Sequence, residues 1–349
     1  MRILGIETSC DETSAAVVDD GRTVLSCVIG SSRKDFERTG GVIPEDAARR
    51  QLEMMLPVLE KALHDAHCSD RDIDAIAVTE GPGLLGSLLV GTTTARVLST
   101  VWKKPLIPVH HTLGHLSSTW LTGNSPPPSG EGSGVGVFPI LTLSVSGGHS
   151  DVWHRASHTR GKLLGTTRDD AAGEAFDKGA VMLGLPYPGG PALAALAEGG
   201  DEHAYAFPLP LRSESTVDFS FSGLKTSLKY LLRDLGTDAN HASVAASFQY
   251  AICRHLLSSL EHAIALHPET RELHVVGGVS ANKRLRSMAL EFADSHGIAL
   301  KVPALLSYCT DNAAMIASVG YFMIREKPEI SNAAFKTSAT LNLQNALDQ

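Results

Sequence analysis

Two histidines four residues apart are the sequence feature with the clearest chemical use. They are His111 and His115 in the segment VHHTLGHLSS. Side chains at this spacing lie on one face of a helix, so the two imidazoles could bind the same divalent metal ion. A third ligand would complete the site, and Asp311 in LSYCTDNAAMIA could supply a carboxylate. The alternative role of Asp311 is to cap the helix that follows it.

The surroundings of the histidine pair argue against a hydrolase. Zinc peptidases carry H-E-x-x-H, in which the glutamate is the general base. Here Thr112 follows His111, and no acidic residue lies between the two histidines. The G-x-S-x-G motif of serine hydrolases is also missing. The sequence therefore supports neither a metallopeptidase nor a serine hydrolase.

Glycine turns beside strands and helix starts form the second group of candidate residues. They are Gly81-Pro82-Gly83, Ser146-Gly147-Gly148, Pro188-Gly189-Gly190-Pro191 and Gly277-Gly278. Glycine lets backbone amides approach an anion, and a helix start favours phosphate. One such turn alone is more often a simple chain reversal, but four of them with two polar hairpins indicate a nucleotide site. A Walker A loop and a Rossmann fingerprint are both absent, so the site belongs to another nucleotide-binding class.

The elements that would position these residues repeat one plan. The hairpins ILGIETSCDETSAAVVDDG and PILTLSVSGGHSDVWHR each consist of an apolar strand, a polar turn and a return strand. Residues 47–64 carry apolar side chains at helical spacing, and IDAIAVT is typical of a buried strand. This alternation predicts an α/β architecture with two related lobes and a cleft for nucleotide and metal between them.

Length and composition predict where the lobes meet. At about 150 residues per domain, 349 residues correspond to two domains. The segment 125–136, SPPPSGEGSGVG, is typical of a flexible loop. We assign the first lobe to residues 1–124, with residues 311–349 returning to it, and the second lobe to residues 137–310.

Composition also limits the location and the partners. No apolar run approaches the roughly 20 residues that cross a bilayer, and nothing marks export. Five cysteines without a C-x-x-C spacing favour the reducing cytoplasm. A net charge of -8 is unfavourable for binding nucleic acid unaided. Any RNA contact would therefore be local, for example through the basic cluster of Arg33, Lys34 and Arg38.

Longer motifs connect most of the chain to one family. They are GIETSCDETSAAVVDDG, EGPGLLGSLLVGTTTAR, IPVHHTLGHL, SVSGGHSD, DDAAGEAFDKGAVMLGLPYPGGP, FSFSGLKTS, VVGGVSANKRLR and CTDNAAMIA. Together they resemble the bacterial TsaD/Gcp family of tRNA adenosine threonylcarbamoyltransferases. The resemblance implies the actin-like ATPase fold, also called the ASKHA or sugar-kinase fold. It also implies transfer of threonylcarbamoyl from threonylcarbamoyl-AMP to the adenosine next to the anticodon, in tRNAs that read codons starting with A, with release of AMP.

The resemblance assigns roles to individual residues. His111, His115 and Asp311 would bind one divalent ion per subunit, iron or zinc. Contacts to the adenylate substrate, or to another AMP- or ATP-type nucleotide, would come from Ser144, Val145, Ser146, Gly147, Gly148, Asp177, Gly190 and Asn282. Asp11 and Glu12 are similar to acidic residues of the family's active site, and either could accept a proton. The alternative for this acidic pair is a solvated turn.

The resemblance also implies partners. A TsaB-like homologous subunit and a TsaE-like ATPase would assist the chain on tRNA, and a separate synthase would supply threonylcarbamoyl-AMP. A homodimer is another arrangement found in the family. The sequence departs from the family at Gln51, where histidine is usual, at Ala194, where aspartate is common, and in its tail FKTSATLNLQ.

Two other functions share the implied fold. An actin-like kinase or ATPase would use the same nucleotide site without a histidine pair. A non-catalytic scaffold resembling TsaB would lack the three metal-ligand candidates and the complete GGVSAN motif. This chain has both features.

Overall fold

The computed structural model describes residues 1–31, 43–122, 137–331 and 334–348. Two predicted features, the flexible loop at 125–136 and the basic cluster of Arg33, Lys34 and Arg38, lie outside the described residues. The chain divides into two compact units. The first comprises Met1–Gly136, Ser157–Arg160 and Pro303–Gln349, and the second comprises Val137–Ala156 and Gly161–Val302.

Ten strands occur in the described residues. They are β1 (Arg2–Glu7), β2 (Glu12–Asp19), β3 (Thr23–Ser31), β4 (Ala75–Gly81), β5 (Leu106–His110), β6 (Ile140–Val145), β7 (Ser150–Arg155), β8 (Gly161–Thr166), β9 (Glu272–Val276) and β10 (Ala299–Lys301). The first five belong to the first unit and the other five to the second.

Ten α-helices accompany these strands in the same described ranges. They are α1 (Pro44–Asp65), α2 (Leu85–Trp102), α3 (His111–Ser117), α4 (Ala172–Met182), α5 (Gly189–Ala197), α6 (Ser222–Leu235), α7 (His241–Leu266), α8 (Lys283–His296), α9 (Ala313–Glu326) and α10 (Leu343–Asp348). Among them we find none with the length and apolar character that spanning a membrane requires.

The sheets of the two units follow the same plan. The first has the order β3-β2-β1-β4-β5, and the second has the corresponding order β8-β7-β6-β9-β10. In each sheet the first three strands form an antiparallel meander, and the last two run parallel to the first strand. The prediction of two related α/β lobes is therefore confirmed.

Both faces of the first sheet are covered by helices. Leu4 and Ile6 of β1 pack in the same buried cluster as Met55 of α1. Gly5, which alternates with them, faces α9 on the other side, where a Cβ would overlap the backbone oxygen of Ala313. Glycine at this position thus lets the start of α9 approach the carboxyl end of β1. This approach places the residues just before α9 at that edge of the sheet.

The second unit has a similarly close contact between its helices. A Cβ at Gly179 of α4 would lie 2.5 Å from the Phe248 ring of α7, so the ring packs directly against the backbone of α4. The start of α4 is tied to the β6–β7 turn, because the amide of Gly173 donates to the oxygen of Ser146 at 3.1 Å. The turn after β6 is therefore anchored on a buried helix.

Candidate functional site

The carboxyl ends of three parallel strands in the first unit surround the histidine pair. β1 ends at Glu7, Thr79 lies near the end of β4, and β5 ends at His110, directly before α3. Parallel strands bring their carboxyl ends to one edge, which is where α/β sheets bind ligands. The sheet topology therefore gathers side chains that are far apart in the sequence.

The first histidine of the segment, His110, has a structural role. Its Nδ1 accepts a hydrogen bond from the amide of Thr112 at 3.2 Å and so caps α3. It is buried, and its Nε2 lies 3.3 Å from the oxygen of Leu341. This leaves His111 and His115 as the two histidines that share one face of the short helix and are turned toward Asp311.

His111, His115 and Asp311 are brought together. Nε2 of His115 lies 3.2 Å from Nε2 of His111 and 3.1 Å from Oδ1 of Asp311. Nε2 of His111 lies 3.6 Å from the same oxygen. Two imidazole nitrogens and a carboxylate oxygen that face one point are a donor set that zinc or ferrous iron accepts. The donor chemistry of these residues thus fits one divalent metal ion.

Asp311 does not cap the following helix. The cap of α9 is Asn312, whose Oδ1 accepts from the amide of Met315 at 3.0 Å. The alternative interpretation of Asp311 as an N-cap is therefore wrong. With Asn312 in that role, the Asp311 carboxylate faces the histidines instead.

Neighbouring charges determine the direction in which the pKa values of His111 and Asp311 shift. Burial lowers the pKa of His111, but the carboxylates of Glu7 and Asp311 outweigh this effect and raise it to about 9. Burial raises the pKa of Asp311, but His111 and His115 hold it well below its usual range. Two ionised carboxylates next to His111 thus favour a positive charge at this position, which a metal cation would provide.

Glu7 is the functional candidate that the sequence reasoning missed. It is fully buried, its Oε2 lies 3.0 Å from Nδ1 of His111, and Thr79 donates to the same oxygen at 2.6 Å. Burial raises the pKa of Glu7, but His111 and Thr79 lower it overall. The signal in the sequence was a glutamate at the end of an otherwise apolar strand.

The acidic pair lies where the turn after β1 joins β2. Glu12 is the first residue of β2 and accepts from Ser31 Oγ at 2.9 Å, while Asp11 precedes it in the turn. Gln51 of α1 donates to the backbone oxygens of Cys10 and Glu12, each at 3.0 Å. Gln51, where the resemblance implies a histidine, thus fixes the backbone of the acidic turn.

In the second unit, the predicted substrate residues lie near the carboxyl ends of β6 and β9. Ser144 and Val145 end β6, and the turn that follows contains Ser146 to Gly148, closed by a hydrogen bond of 2.8 Å from the Ser146 amide to His149. Ser144 pairs with Val276, the last residue of β9. The short turn Gly278–Ala281 follows β9 and lies against β6 and α4.

Asp177, Gly190 and Asn282, which the resemblance assigns to the substrate, make hydrogen bonds within the second unit. Oδ1 of Asp177 accepts from the amides of Gly189 and Gly190 at 2.8 and 3.3 Å. Oδ1 of Asn282 caps α8, and its Nδ2 donates to Gln249 at 2.7 Å. Asp177 thus fixes the Gly189–Gly190 segment, and Asn282 fixes the start of α8.

Three glycines of this edge are not explained by packing. At Gly147, Gly148 and Gly278, a Cβ would have no heavy atom within 4 Å in the part of the chain that the structure describes. Gly277 differs, because its φ of +85° and the adjacent oxygen of Val145 both require glycine. Open backbone beside a required glycine is a surface that a ligand could approach closely.

The comparison with known families decides the identity. The sequence model of the TsaD family, described as tRNA N6-adenosine threonylcarbamoyltransferase, matches residues 23–318. The chain belongs to the TsaD family. It is therefore an enzyme that transfers a threonylcarbamoyl group and acts on tRNA, and the predicted function is confirmed at this level.

Curated relatives match this sequence over nearly the whole chain. The tRNA N6-adenosine threonylcarbamoyltransferase of Anaeromyxobacter sp. (strain Fw109-5) is 47% identical over 325 residues, which are 92% of this chain and 93% of that protein. The protein of the same name from Symbiobacterium thermophilum is 47% identical over 326 residues, which are 93% of this chain and 92% of that protein. The TsaD match therefore extends beyond isolated motifs.

A solved structure supports the fold. HypF of T. kodakarensis superposes with a TM-score of 0.60 over 95% of this chain and 49% of that chain, at 14% identity. Similarity at this identity concerns the fold alone. Together with the two repeated sheets, it confirms the predicted actin-like ATPase fold for this TsaD member.

Proposed function

We propose that the chain transfers threonylcarbamoyl from threonylcarbamoyl-AMP to N6 of the adenosine next to the anticodon. The acceptors are tRNAs that read codons starting with A, and the site of action is the cytoplasm, where these tRNAs are used. The observation that supports this most is the convergence of His111, His115 and Asp311 in a member of the TsaD family.

The reaction joins a weak nucleophile to an activated carbonyl. N6 of adenosine attacks the carbamoyl carbon, the bond from that carbon to the phosphate oxygen breaks, AMP leaves with the electron pair, and N6 loses one proton. Because the amine is a weak nucleophile, orientation and charge stabilisation must supply most of the acceleration. The protein therefore has to hold the carbonyl, the phosphate and the departing proton.

The three converging side chains would hold one divalent ion, iron or zinc. Such an ion supplies Lewis-acid polarisation of a carbonyl group. His111 and His115 contribute the two Nε2 atoms, and Asp311 contributes a carboxylate oxygen and its negative charge. The role of these residues is to fix the position of that charge before the substrate arrives.

The glycine edge of the second unit would bind the nucleotide part of the substrate. The open backbone at Gly147, Gly148 and Gly278 can approach phosphate oxygens, and their amides can donate to the charge that grows on departing AMP. Ser144 and Val145 lie buried at the end of β6 directly before this surface, and Ser146 begins the turn that carries Gly147 and Gly148. Asp177 holds the amides of Gly189 and Gly190 in place, and Asn282 holds the start of α8.

The acidic turn is our proposed acceptor for the N6 proton. Asp11 and Glu12 are carboxylates held on a turn whose backbone Gln51 fixes. A carboxylate can act as a general base if it lies within hydrogen-bond distance of the departing proton. Either residue could serve, and single replacement by alanine separates them.

The decisive experiment is nucleoside mass spectrometry of tRNA after incubation with the protein, threonylcarbamoyl-AMP and the partner proteins. We expect threonylcarbamoyladenosine with wild type and a lower rate with Asp11→Ala or Glu12→Ala. Full rates in both variants at saturating donor would exclude the acidic turn as base. Hydrolysis of ATP without modified tRNA would favour the kinase or ATPase alternative.

The partners would compensate for the acidic charge of the chain. We propose a TsaB-like homologous subunit and a TsaE-like ATPase as partners on tRNA, and a separate synthase as the source of threonylcarbamoyl-AMP.

The first unit offers apolar side chains for the homologous subunit. Leu52 and Leu56 of α1 are 69% and 64% exposed, and Leu85 and Leu89 of α2 are 50% and 45% exposed. The two helices touch nearby, where a Cβ at Gly86 would lie 3.2 Å from Ala48. Exposed apolar side chains on two adjacent helices suit a helical partner surface.

Replacing Leu56 by glutamate tests this docking surface. Leu56 is exposed, so its replacement should leave the melting temperature within about 2 °C of wild type. A charge in an apolar interface should weaken binding of the TsaB-like subunit by at least about tenfold, measured by isothermal titration calorimetry. Val181→Glu on α4, at a site 73% exposed, is the matched control. Unchanged binding by Leu56→Glu would reject this surface. Loss of a homodimer instead would assign it to a second copy.

A further inference from the structure

Glu7 is surrounded by hydrogen-bond donors at the end of β1. Its Oε2 accepts from Thr79 Oγ1 at 2.6 Å and lies 3.0 Å from Nδ1 of His111. Its Oε1 accepts from the amide of Ser9 at 2.5 Å. The side chain is 1% exposed, so water does not replace these partners. Glu7 is thus a buried carboxylate with a fixed orientation.

This carboxylate determines which nitrogen of His111 carries a hydrogen. A carboxylate can only accept, so a contact of 3.0 Å requires a hydrogen on Nδ1. The hydroxyl of Ser9, at 3.1 Å from the same nitrogen, can donate or accept and does not decide the question. A neutral imidazole with hydrogen on Nδ1 has its lone pair on Nε2. That atom faces His115 and Asp311.

The second histidine lacks an equivalent support. Nδ1 of His115 is buried and makes no hydrogen bond to any residue in the described ranges. The two histidines are therefore not equivalent: the ring of His111 is fixed from behind, whereas no side chain in these ranges fixes the tautomer of His115. An effect of Glu7 on metal binding would thus act through His111.

We propose that Glu7 is a positioning residue that holds His111 in the tautomer and orientation in which Nε2 binds the metal ion. The inference rests on the proposed metal centre. Hydrogen bonds from metal-binding histidines to carboxylates raise ligand basicity and fix the ring, and their loss typically costs about 10- to 100-fold in metal affinity. Thr79 and the Ser9 amide hold Glu7 in turn, which connects the ends of β1 and β4 to the ligand.

The test is the Zn²⁺ affinity of Glu7→Gln, measured by competition with a chromophoric chelator. Glutamine offers one acceptor oxygen, so it cannot accept from both Ser9 and His111 through two separate oxygens. We expect Zn²⁺ to bind about 10- to 100-fold more weakly than in wild type. The matched control is Glu272→Gln, because Glu272 is also buried and contacts Nε2 of His274 at 2.9 Å in the second unit. It should bind Zn²⁺ like wild type.

Two further measurements separate positioning from general destabilisation. Thr79→Val keeps the Glu7 charge but removes one hydrogen bond to it, and we expect a smaller loss in the same direction. Co²⁺ in the site should show shifted d–d absorption in Glu7→Gln but not in Glu272→Gln. Equal Zn²⁺ affinity and equal Co²⁺ spectra in Glu7→Gln and wild type would reject the role of Glu7 alone. Wild type that binds neither ion would contradict the proposed metal centre as well.

Discussion

Replacement of His111 by alanine should release the metal ion and reduce threonylcarbamoyl transfer by at least about 100-fold. The imidazole supplies one of three donor atoms that face one point, and the two remaining donors form an incomplete site. His115→Ala should give the same result. Asp311→Asn should also do so, because it removes the charge and keeps the size of the side chain. Metal content is measured by inductively coupled plasma mass spectrometry and transfer by nucleoside mass spectrometry.

The control for this prediction is another histidine on a helix. His262 of α7 contacts the oxygen of Ser258 at 3.0 Å and lies in the second unit. His262→Ala should therefore retain wild-type metal content and transfer. If His111→Ala and Asp311→Asn both kept one metal ion per chain, the three residues would not be its ligands. If they lost the metal and kept full activity, the metal would not take part in the reaction.

Alanine at Gly148 should raise the KM for threonylcarbamoyl-AMP by about 10- to 100-fold and leave the fold intact. The added methyl group has no protein atom within 4 Å among the described residues, so it should not disturb packing. It would project where we propose that the nucleotide approaches the backbone, and steric overlap of this kind costs about 1–3 kcal/mol. Initial rates at varied donor concentration and a thermal unfolding curve measure both effects.

Two other glycines provide the comparison for Gly148. Gly223 in α6 is equally open to an added methyl group. Gly223→Ala should therefore leave the KM unchanged and should not lower the melting temperature. Gly277→Ala should instead lower the melting temperature, because φ is +85° and the methyl group would overlap the oxygen of Val145. An unchanged KM in Gly148→Ala would place the nucleotide elsewhere. A large loss of stability in that variant would show that Gly148 serves the fold.

Local sequence patterns predicted much of the fold. The order of apolar strand, polar turn and return strand in ILGIETSCDETSAAVVDDG and PILTLSVSGGHSDVWHR predicted two hairpins, and both occur as β1–β2 and β6–β7. The repeated plan predicted two related lobes, because the same short pattern of strand, polar turn and strand occurs twice in the chain. The order of the outer strands was not predicted, since it depends on which strand edges pair after the connecting helices have packed.

The candidate metal ligands were also predicted only in part from the sequence. The spacing of His111 and His115 was enough to predict a shared face, because one helical turn brings them together. The sequence left two roles open for Asp311, and the hydrogen bond of Asn312 to Met315 resolved the choice. Glu7 could not be connected to His111 beforehand, because 104 residues separate them and only the parallel pairing of β1, β4 and β5 brings them together.

The sequence by itself determined the family, the histidine pair and the glycine turns, because these depend on residue type and short spacing. The tertiary structure alone decided which side chains support the site. It placed Thr79 against Glu7 across 72 residues, directed Asp177 and Asn282 into hydrogen bonds within the protein, and separated the strained Gly277 from the open Gly148. The physical reason is that hydrogen-bond partners and backbone angles in turns depend on strands and helices that are distant in the chain.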